Sequence, residues 1–357
     1  MKVKNFFSKL VKSQIMVPFA AFLILVIFNL INDPSFFAIK LGVNSAGSPV
    51  LSGYLISILD FGSELAILAI GMTFVTAASG GQDISVGATI AICGSALLRF
   101  LCGDNVRPDH FRMPIIVAFL LTLVVAVICG IFNGVLVAYF KIQPMIATLI
   151  LFTAGRSIAA WINQNKLPVV TDSTFAIFGG FIPGIPVPTP FVIMLVCVVL
   201  TILLMKFTNI SLYSQSVGIN QKSSRLNGLN PEFIKVLCFA ILGVCVGICS
   251  LIKTSRLMTI NYQQIAKDIE MDAILAVALG GNALSGGKFN VWASILGAYV
   301  IQFLTQTLYK LEVKSDSLSA YKAVVVIILV ILSCDKVRNG ISKLFKKKTA
   351  PVRKEVA

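Results

Sequence analysis

Long apolar segments separated by short polar connections set the pattern of this chain of 357 residues. A helix that crosses a bilayer needs ~20 mostly apolar residues. The pattern therefore predicts an all-α polytopic membrane protein with about ten transmembrane segments, one of them short or re-entrant. The predicted segments are 15–31, 54–79, 84–102, 114–140, 142–162, 190–207, 233–252, the short 271–285, 290–309 and 320–335.

Two of these segments contain features that break the simple pattern. Segment 54–79 carries Asp60, Gly62 and Glu64, so we expect its first part to form a separate surface helix. The short segment 271–285 is interrupted by Gly280-Gly281 and followed by Gly286-Gly287. Irregular backbone at membrane depth is tolerated only where protein or a water-filled cavity covers it, and transporters place substrate near such broken helices.

A similar glycine break lies early in the chain. Ser79-Gly80-Gly81 resembles Ser285-Gly286-Gly287, and the apolar residues before each pair are also alike. An internal repeat would explain the similarity, and so would the chance recurrence of glycine pairs in a glycine-rich membrane protein. The sequence leaves both explanations open.

The composition agrees with a membrane protein. Hydrophobic residues make up 57% of the chain and charged residues only 13%, with a mean hydropathy of +0.91, whereas soluble domains carry about 25% charged residues. The net charge of +15 would suggest nucleic acid in a soluble protein. Here it fits the enrichment of Lys and Arg in cytoplasmic loops, and we exclude nucleic acid as a partner.

The distribution of basic residues also predicts the orientation. The first apolar run is long and lacks a small-residue cleavage site, so it reads as a transmembrane helix and not as a signal peptide. The basic run Lys346-Lys347-Lys348 favours cytoplasmic placement of both termini. We expect one transmembrane domain over 1–335, a cytoplasmic loop over 208–232, and a basic cytoplasmic tail over 336–357.

No catalytic or metal-binding constellation is visible in the sequence. The eight cysteines stand singly in apolar surroundings and the only histidine, His110, lies in a polar loop, so we expect no metal and no cofactor. A phosphate-binding loop around Lys288 would need Gly at 282 and Ser or Thr at 289, where the chain has Asn282 and Phe289. The chain is therefore not expected to be an enzyme, and any ATPase would be another chain.

The cytoplasmic loop 208–232 has its own helical signal. Residues 220–227 could form a short helix that ends at Gly228, with Pro231 beyond it. An exposed short helix under a membrane domain could dock a partner, or the stretch could be an ordinary solvated loop. The pattern alone does not separate these two interpretations.

Four motifs follow one another along the chain. They are GMT at 71–73 with SGGQDISVG at 79–87, KIQPMIATLI at 141–150 with Gly155-Arg156, VGINQKSSRLNGLN at 217–230, and DAILAVALGGNALSGG at 272–287. These motifs resemble, in the same order, those of the permease subunits of bacterial sugar ABC importers, specifically the ribose and galactofuranose group. The resemblance extends from about Gly47 to Arg338.

The resemblance implies a non-catalytic translocation subunit in the bacterial cytoplasmic (inner) membrane, moving a monosaccharide by alternating access. It also implies a cytoplasmic ABC ATPase subunit, an extracytoplasmic sugar-binding protein and a second permease, either a copy or a relative, as partners in the lipid bilayer. The loop becomes the ATPase-coupling element, with Gly218, Asn220, Ser223, Ser224, Arg225, Leu226 and Gly228 as its candidates. Two departures from the family are Gln82, where an aliphatic residue is usual, and Ser223-Ser224, where two alanines are usual.

Polar and glycine residues within the spans are candidates for the substrate pathway. Asp83 could cap the helix that follows it or hydrogen-bond sugar hydroxyls. Arg156 lies deep in a span, where an ionisable residue needs a partner, and Asp83 and Glu64 are the two considered. The candidates are Gly80, Gly81, Gln82, Asp83, Ser85, Asn133, Gln143, Thr148, Arg156, Gly280, Gly281 and Asn282.

Two other classes of function are weighed against the importer. An ion-coupled secondary transporter of a small polar solute would use carboxylates such as Asp83 and Glu64, although no proton relay is visible. A membrane-embedded enzyme would need a nucleophile with a base or a metal, and the sequence shows neither.

Overall fold

A computed structural model of the chain describes residues 16–43, 49–108 and 110–333. Helices make up most of these residues and strands very few, which confirms the predicted all-α class. The predicted basic tail 336–357 lies outside the described residues. The helices are α1 (Met16–Asn32), α2 (Tyr54–Ser79), α3 (Val86–Cys102), α4 (Ile115–Ala138), α5 (Pro144–Ile162), α6 (Thr189–Phe207), α7 (Ile210–Ile219), α8 (Gln221–Leu226), α9 (Pro231–Leu257), α10 (Ile269–Leu279), α11 (Val291–Lys310) and α12 (Ser315–Ser333).

Short elements fill the connections at one end of the helices. A two-stranded antiparallel sheet, which the sequence did not predict, joins α1 to α2. Its strands are β1 (Lys40–Val43) and β2 (Pro49–Ser52), with Leu41 opposite Leu51. Single helical turns occur at Pro34–Phe37, Ser173–Ala176 and Ile177–Gly179.

Six of the described helices are long and apolar enough to cross a membrane, which supports a polytopic membrane protein but not the count of about ten crossings. They are α2, α4, α5, α6, α9 and α11. Four predicted crossings are not among these six: α1 and α3 have 17 residues each, α10 has only 11, and α12 is the fourth. Residues 84–85 of the predicted segment 84–102 and residues 280–285 of the predicted segment 271–285 belong instead to the glycine breaks.

Two further details differ from the sequence prediction. Residues 54–79 form one continuous helix, so the expected separate surface helix is wrong. The charged residues that suggested it are accommodated by ion pairs described below. In the loop 208–232, the short helix at 220–227 is confirmed as Gln221–Leu226, but a second helix, α7, precedes it.

Helix α2 is the centre of the molecule. It packs against α6, α7, α9, α10 and α11. In its most apolar 18-residue stretch, 72% of the residues are buried inside the protein, compared with 17% in that of α6. Helices α4, α5 and α6 instead expose large apolar side chains such as Ile116, Ile128 and Leu200. In a bilayer these side chains would face lipid, because apolar exposure on this scale is disfavoured in water.

Buried ion pairs hold α2 against α9. Glu64 of α2 is only 1% exposed, and its carboxylate lies 2.8 Å from the Lys253 ammonium and also pairs with Arg256. Arg256 reaches Asp60 as well, at 2.7 Å. Two acids and two cations therefore neutralise one another, which is the condition under which charges are tolerated away from water.

Small residues allow α4 and α9 to approach closely. A Cβ added at Gly243 of α9 would lie 2.6 Å from the Ala126 carbonyl oxygen of α4, and one added at Gly130 of α4 would overlap the Phe239 carbonyl oxygen of α9. Membrane helices commonly associate through such small-residue contacts.

This contact generates a prediction about stability. Gly130→Ala should destabilise the protein by roughly 1–3 kcal/mol because the methyl group overpacks the interface, although alanine at an unconstrained helix position would stabilise by about 1 kcal/mol. The measurement is thermal unfolding in detergent. Ile128→Ala is the control, since Ile128 is 58% exposed on the same helix. A raised melting temperature for Gly130→Ala would contradict the close packing.

Candidate functional site

The two glycine breaks, at opposite ends of the sequence, lie against each other. We call residues 77–85 and 280–290 together the break contact. The Gly287 N–H donates to the Ala77 carbonyl oxygen at 3.0 Å, and the Gln82 amide donates to the Leu284 carbonyl oxygen at 3.1 Å. A Cβ at Gly80 would lie 2.8 Å from the Ser285 carbonyl oxygen.

Left-handed backbone makes glycine necessary at several of these positions. Gly80 ends α2 with φ of +67°, and Gly286 and Gly287 have φ of +91° and +79°. Residues other than glycine rarely adopt this left-handed backbone conformation. The breaks are therefore built from residues that both turn the chain and allow backbone to touch backbone.

Asp83 organises the first break through its carboxylate. One carboxylate oxygen accepts from the Ser85 N–H at 2.8 Å and from the Ser85 hydroxyl at 2.6 Å, and the other accepts from the Asn133 amide at 3.1 Å. Thr148 accepts from the Ile84 N–H at 3.2 Å. The break is thus attached to α4 and α5 by side chains that the sequence analysis had selected.

Asp83 is not the cap residue of α3. That helix begins at Val86, with Ser85 in the cap position. Asp83 is 4% exposed, and its carboxylate closes a turn just before the helix.

Asn282 organises the second break in a comparable way. Its amide oxygen accepts from the Asn290 N–H at 2.7 Å, and its amide nitrogen donates to the Ser294 hydroxyl at 2.8 Å. The Thr73 hydroxyl of α2 donates to the same Ser294 oxygen at 2.7 Å. Asn282 therefore links the second break to α11 and, through Ser294, to α2.

The structure brings together most of the predicted pathway residues but not all of them. Gly80, Gly81, Gln82, Asp83, Ser85, Asn133, Thr148, Gly280, Gly281 and Asn282 lie in or against the break contact. Gln143 is exposed just before α5, next to Pro144, whose ring lies against Gly81.

Arg156 lies away from the break contact. The prediction that it pairs with Asp83 or Glu64 is wrong. Its guanidinium donates to the Tyr262 carbonyl oxygen at 2.7 Å and to the Ile265 carbonyl oxygen at 3.1 Å. Asp83 is occupied by Ser85 and Asn133, and Glu64 by cations of α9. Arg156 thus holds the α9–α10 connection, far along α5 from the break.

Helix α7 touches the break contact directly. A Cβ at Gly218 would overlap the Ala77 carbonyl oxygen and lie 2.6 Å from the Gly287 nitrogen. These are the two residues whose hydrogen bond joins the breaks. If the end of α7 moves, it therefore changes its contacts with the backbone of both breaks.

Of the remaining predicted coupling residues, only Ser224 is buried. Asn220 caps α8 by accepting from the Ser223 N–H at 3.1 Å, and Ser224, 1% exposed, shares a hydrogen bond of 2.9 Å with Ser216. Arg225 is exposed and pairs with Glu232, and Leu226 is 90% exposed.

Gly228 and one missed residue complete this segment. Gly228 has φ of +80° and ends the turn after α8. The sequence analysis missed Ile219, which is 73% exposed and lies against Gly287. Its signal was an apolar residue directly before the polar run 220–225.

A polar cavity that sequence analysis also missed lies at the far end of the helices from α7. Residues of α2, α9 and α11 line its wall, among them Glu64, Lys253, Gln302, Thr305 and Gln306. The signal was present in the sequence, because Gln302, Thr305 and Gln306 are spaced to share one face of a helix. Among the described residues, no group of His, Cys, Asp and Glu could hold a metal ion.

Comparison with known proteins gives a family and named relatives. A family model described as "Branched-chain amino acid transport system / permease component" matches residues 54–334. The comparison with solved structures gave no match.

Three relatives of known substrate are similar over most of the chain. The chain is 35% identical to a fructose import permease protein of Bifidobacterium longum, over 97% of this chain and 94% of the relative. It is 34% identical to a galactofuranose transporter permease protein of Escherichia coli, over 80% and 81%, and 32% identical to a ribose import permease protein of the same species, over 79% and 86%.

These matches decide between the classes of function that the sequence left open. They favour the ABC importer over the ion-coupled secondary transporter, and they describe transport components and not catalysts. Together with the apolar helices, they place the chain in the inner membrane as a multi-pass protein. The chain belongs to the family of permease components that this model describes, in its branch of sugar ABC importers.

Proposed function

We propose that this chain is the translocation subunit that carries a monosaccharide, of the fructose, ribose, galactose or galactofuranose kind, into the cell. A separate cytoplasmic ABC ATPase drives it, an extracytoplasmic binding protein delivers the sugar, and a second permease completes the pore. Both termini, α7 and α8 face the cytoplasm. The sugar class rests on the named relatives, since the family description itself refers to branched-chain amino acids.

The observation that carries this proposal is the position of α7 against the break contact. The segment α7–α8 presents exposed side chains on one side, including Arg225 and Leu226. On its other side Gly218 meets Ala77 and Gly287. A partner that docks on the exposed side and moves would displace the backbone that joins the two breaks.

In the proposed cycle, the break contact is the inner closure of the pathway. Its polar groups are hydrogen-bonded to one another, so it is a stable closed arrangement and not an open mouth. ATP binding on the partner would shift α7, separate the breaks and expose Gln82, Asp83 and Asn282 to the sugar. Freed amide and carboxylate groups can then exchange their internal hydrogen bonds for bonds to sugar hydroxyls.

We extend the proposal to the number of crossings. Helices α1 and α12 would complete two further crossings beside the six long helices, while α3 and α10 would span only part of the bilayer. The breaks that follow α2 and α10 would supply the missing length as covered, irregular backbone. The resulting ten segments correspond to the ten apolar stretches of the sequence.

Arg225 provides the first test. Arg225→Glu should abolish co-purification of the ATPase from mild detergent, because it reverses a charge that is 62% exposed on the docking side. The measurement is pull-down of the tagged full chain with identification of its partners by mass spectrometry.

The control for this variant restores the internal ion pair. Arg225→Glu combined with Glu232→Arg keeps opposite charges at the two positions that pair in the structure. Loss of the ATPase in both variants supports docking through Arg225. Recovery of the ATPase in the double variant would show that Arg225 acts only within the chain.

Gly218 provides the second test. It separates docking of the ATPase from the transmission of its movement to the break contact. Gly218→Ala should retain the ATPase and lower sugar uptake several-fold, because the added methyl group pushes α7 away from Ala77 and Gly287. The measurements are co-purification and uptake of labelled fructose, ribose and galactose by intact cells. Leu212→Ala, at a position 62% exposed on the same helix, is the control. Normal uptake by Gly218→Ala would contradict the role of this contact.

A further inference from the structure

The polar cavity at the end of the helices opposite α7 has the volume of a small-ligand pocket. It measures about 320 Å³, near the lower limit of the 300–1,000 Å³ typical of ligand sites. Its lining combines two aromatic rings with amides and a hydroxyl. These residues are Phe61, Gln264, Gln302, Thr305, Gln306 and Tyr309.

One turn of α11 supplies an unusual polar face to this cavity. Gln302, Thr305 and Gln306 interrupt a helix whose other buried residues are mostly apolar. Gln306 is only 7% exposed, as is Thr305. The Thr305 hydroxyl donates to the Ile301 carbonyl oxygen at 2.9 Å, which leaves its oxygen free to accept.

The amide of Gln306 has no hydrogen-bond partner among the described residues. The same holds for the amide of Gln302. Each amide offers N–H donors and a carbonyl acceptor. Both amides line the cavity, so a polar ligand there would find donors and acceptors for its own polar groups.

The acidic groups in the wall are already paired with cations. Glu64 and Asp272 contribute two negative charges, and Lys253 and Lys267 contribute two positive charges. Glu64 is already paired with Lys253 at 2.8 Å, and Asp272 with Lys322 of α12 at 2.6 Å. Glu64 also pairs with Arg256, and the remaining cation of the lining, Lys267, is exposed. The cavity therefore offers hydrogen-bonding groups without a buried unpaired charge, which favours a neutral ligand over an ion.

Buried helix separates the cavity from the break contact. Helix α2 lines the cavity at Phe61, Glu64 and Leu65 and is fully buried from Ala66 to Ala78. A ligand in the cavity would therefore be held at one end of the bundle, while the break contact closes the other end.

We propose that this cavity binds a neutral polyhydroxylated molecule of monosaccharide size, with Gln302, Thr305 and Gln306 contacting its hydroxyl groups. The faces of Phe61 and Tyr309 would cover its C–H surface. The inference rests on the proposed function, in which it is the first site that the sugar occupies within this chain. Its first test needs neither the ATPase nor uptake.

The first experiment is protection of an introduced cysteine in the full chain, purified in detergent. Gln306→Cys is labelled with a small polar thiol reagent in the presence of D-fructose, D-ribose, D-galactose or L-leucine. Wild-type protein measures the background, because the described native cysteines are buried or partly buried. Leu311→Cys, at a position 44% exposed beyond the end of α11, is the matched control.

The proposal expects that at least one of the three sugars slows labelling of Gln306→Cys to saturation, with no effect on Leu311→Cys or from L-leucine. Labelling that no sugar slows, or that L-leucine alone slows, would overturn it. A wild-type transporter that imports none of the sugars would count against the proposed function instead, and the labelling result would still decide for or against the cavity.

The second experiment measures uptake by cells that carry the complete transporter. Gln306→Leu should raise the sugar concentration for half-maximal uptake about tenfold, the size expected for lost hydrogen bonds to the ligand. Co-purification of the ATPase should be unchanged, which shows that the variant folds. Gln306→Asn, which keeps an amide, should recover part of the loss. Unchanged half-saturation in Gln306→Leu would contradict contact with the sugar.

Discussion

The hydrogen bond from the Gly287 N–H to the Ala77 carbonyl oxygen joins two interruptions of helical structure that lie about two hundred residues apart in sequence. Backbone groups released by a break need partners inside a membrane protein, because lipid offers none. Here each break provides partners for the other. Gly218 lies against the same two residues, so this one contact connects the first break, the second break and α7.

Helix α2 carries the consequence of that contact through the molecule. One of its ends forms the break contact, and in its first half Glu64 is fixed by Lys253 and Arg256 of α9. The residues between are buried without interruption from Gly62 to Ala78. A helix that is packed along this whole length moves as one rigid unit. A displacement at α7 would therefore also displace the part of α2 that lines the cavity beside Glu64. Alternating access requires this kind of connection between two ends of a pathway.

Much of the fold could be predicted because lipid imposes simple rules on sequence. The apolar stretches located the helices, and the glycine pairs located both breaks. The sequence could not show that the breaks touch, since a bond between backbone groups leaves no side-chain signature. Arg156 was misassigned for the same reason: its partners are the Tyr262 and Ile265 carbonyl oxygens, which every residue type possesses. The cavity could have been predicted, because the spacing of Gln302 and Gln306 indicates a polar face on an apolar helix.

The central claim is that movement of α7 acts on the breaks through their direct contact. Its most direct test is to fix that contact with a short bifunctional maleimide joining Ile219→Cys, where Ile219 lies against Gly287, to Lys288→Cys, the next residue in the chain. Each single cysteine variant serves as a control. The account predicts that the linked protein still binds the ATPase but no longer imports sugar. Full import by the linked protein would contradict it.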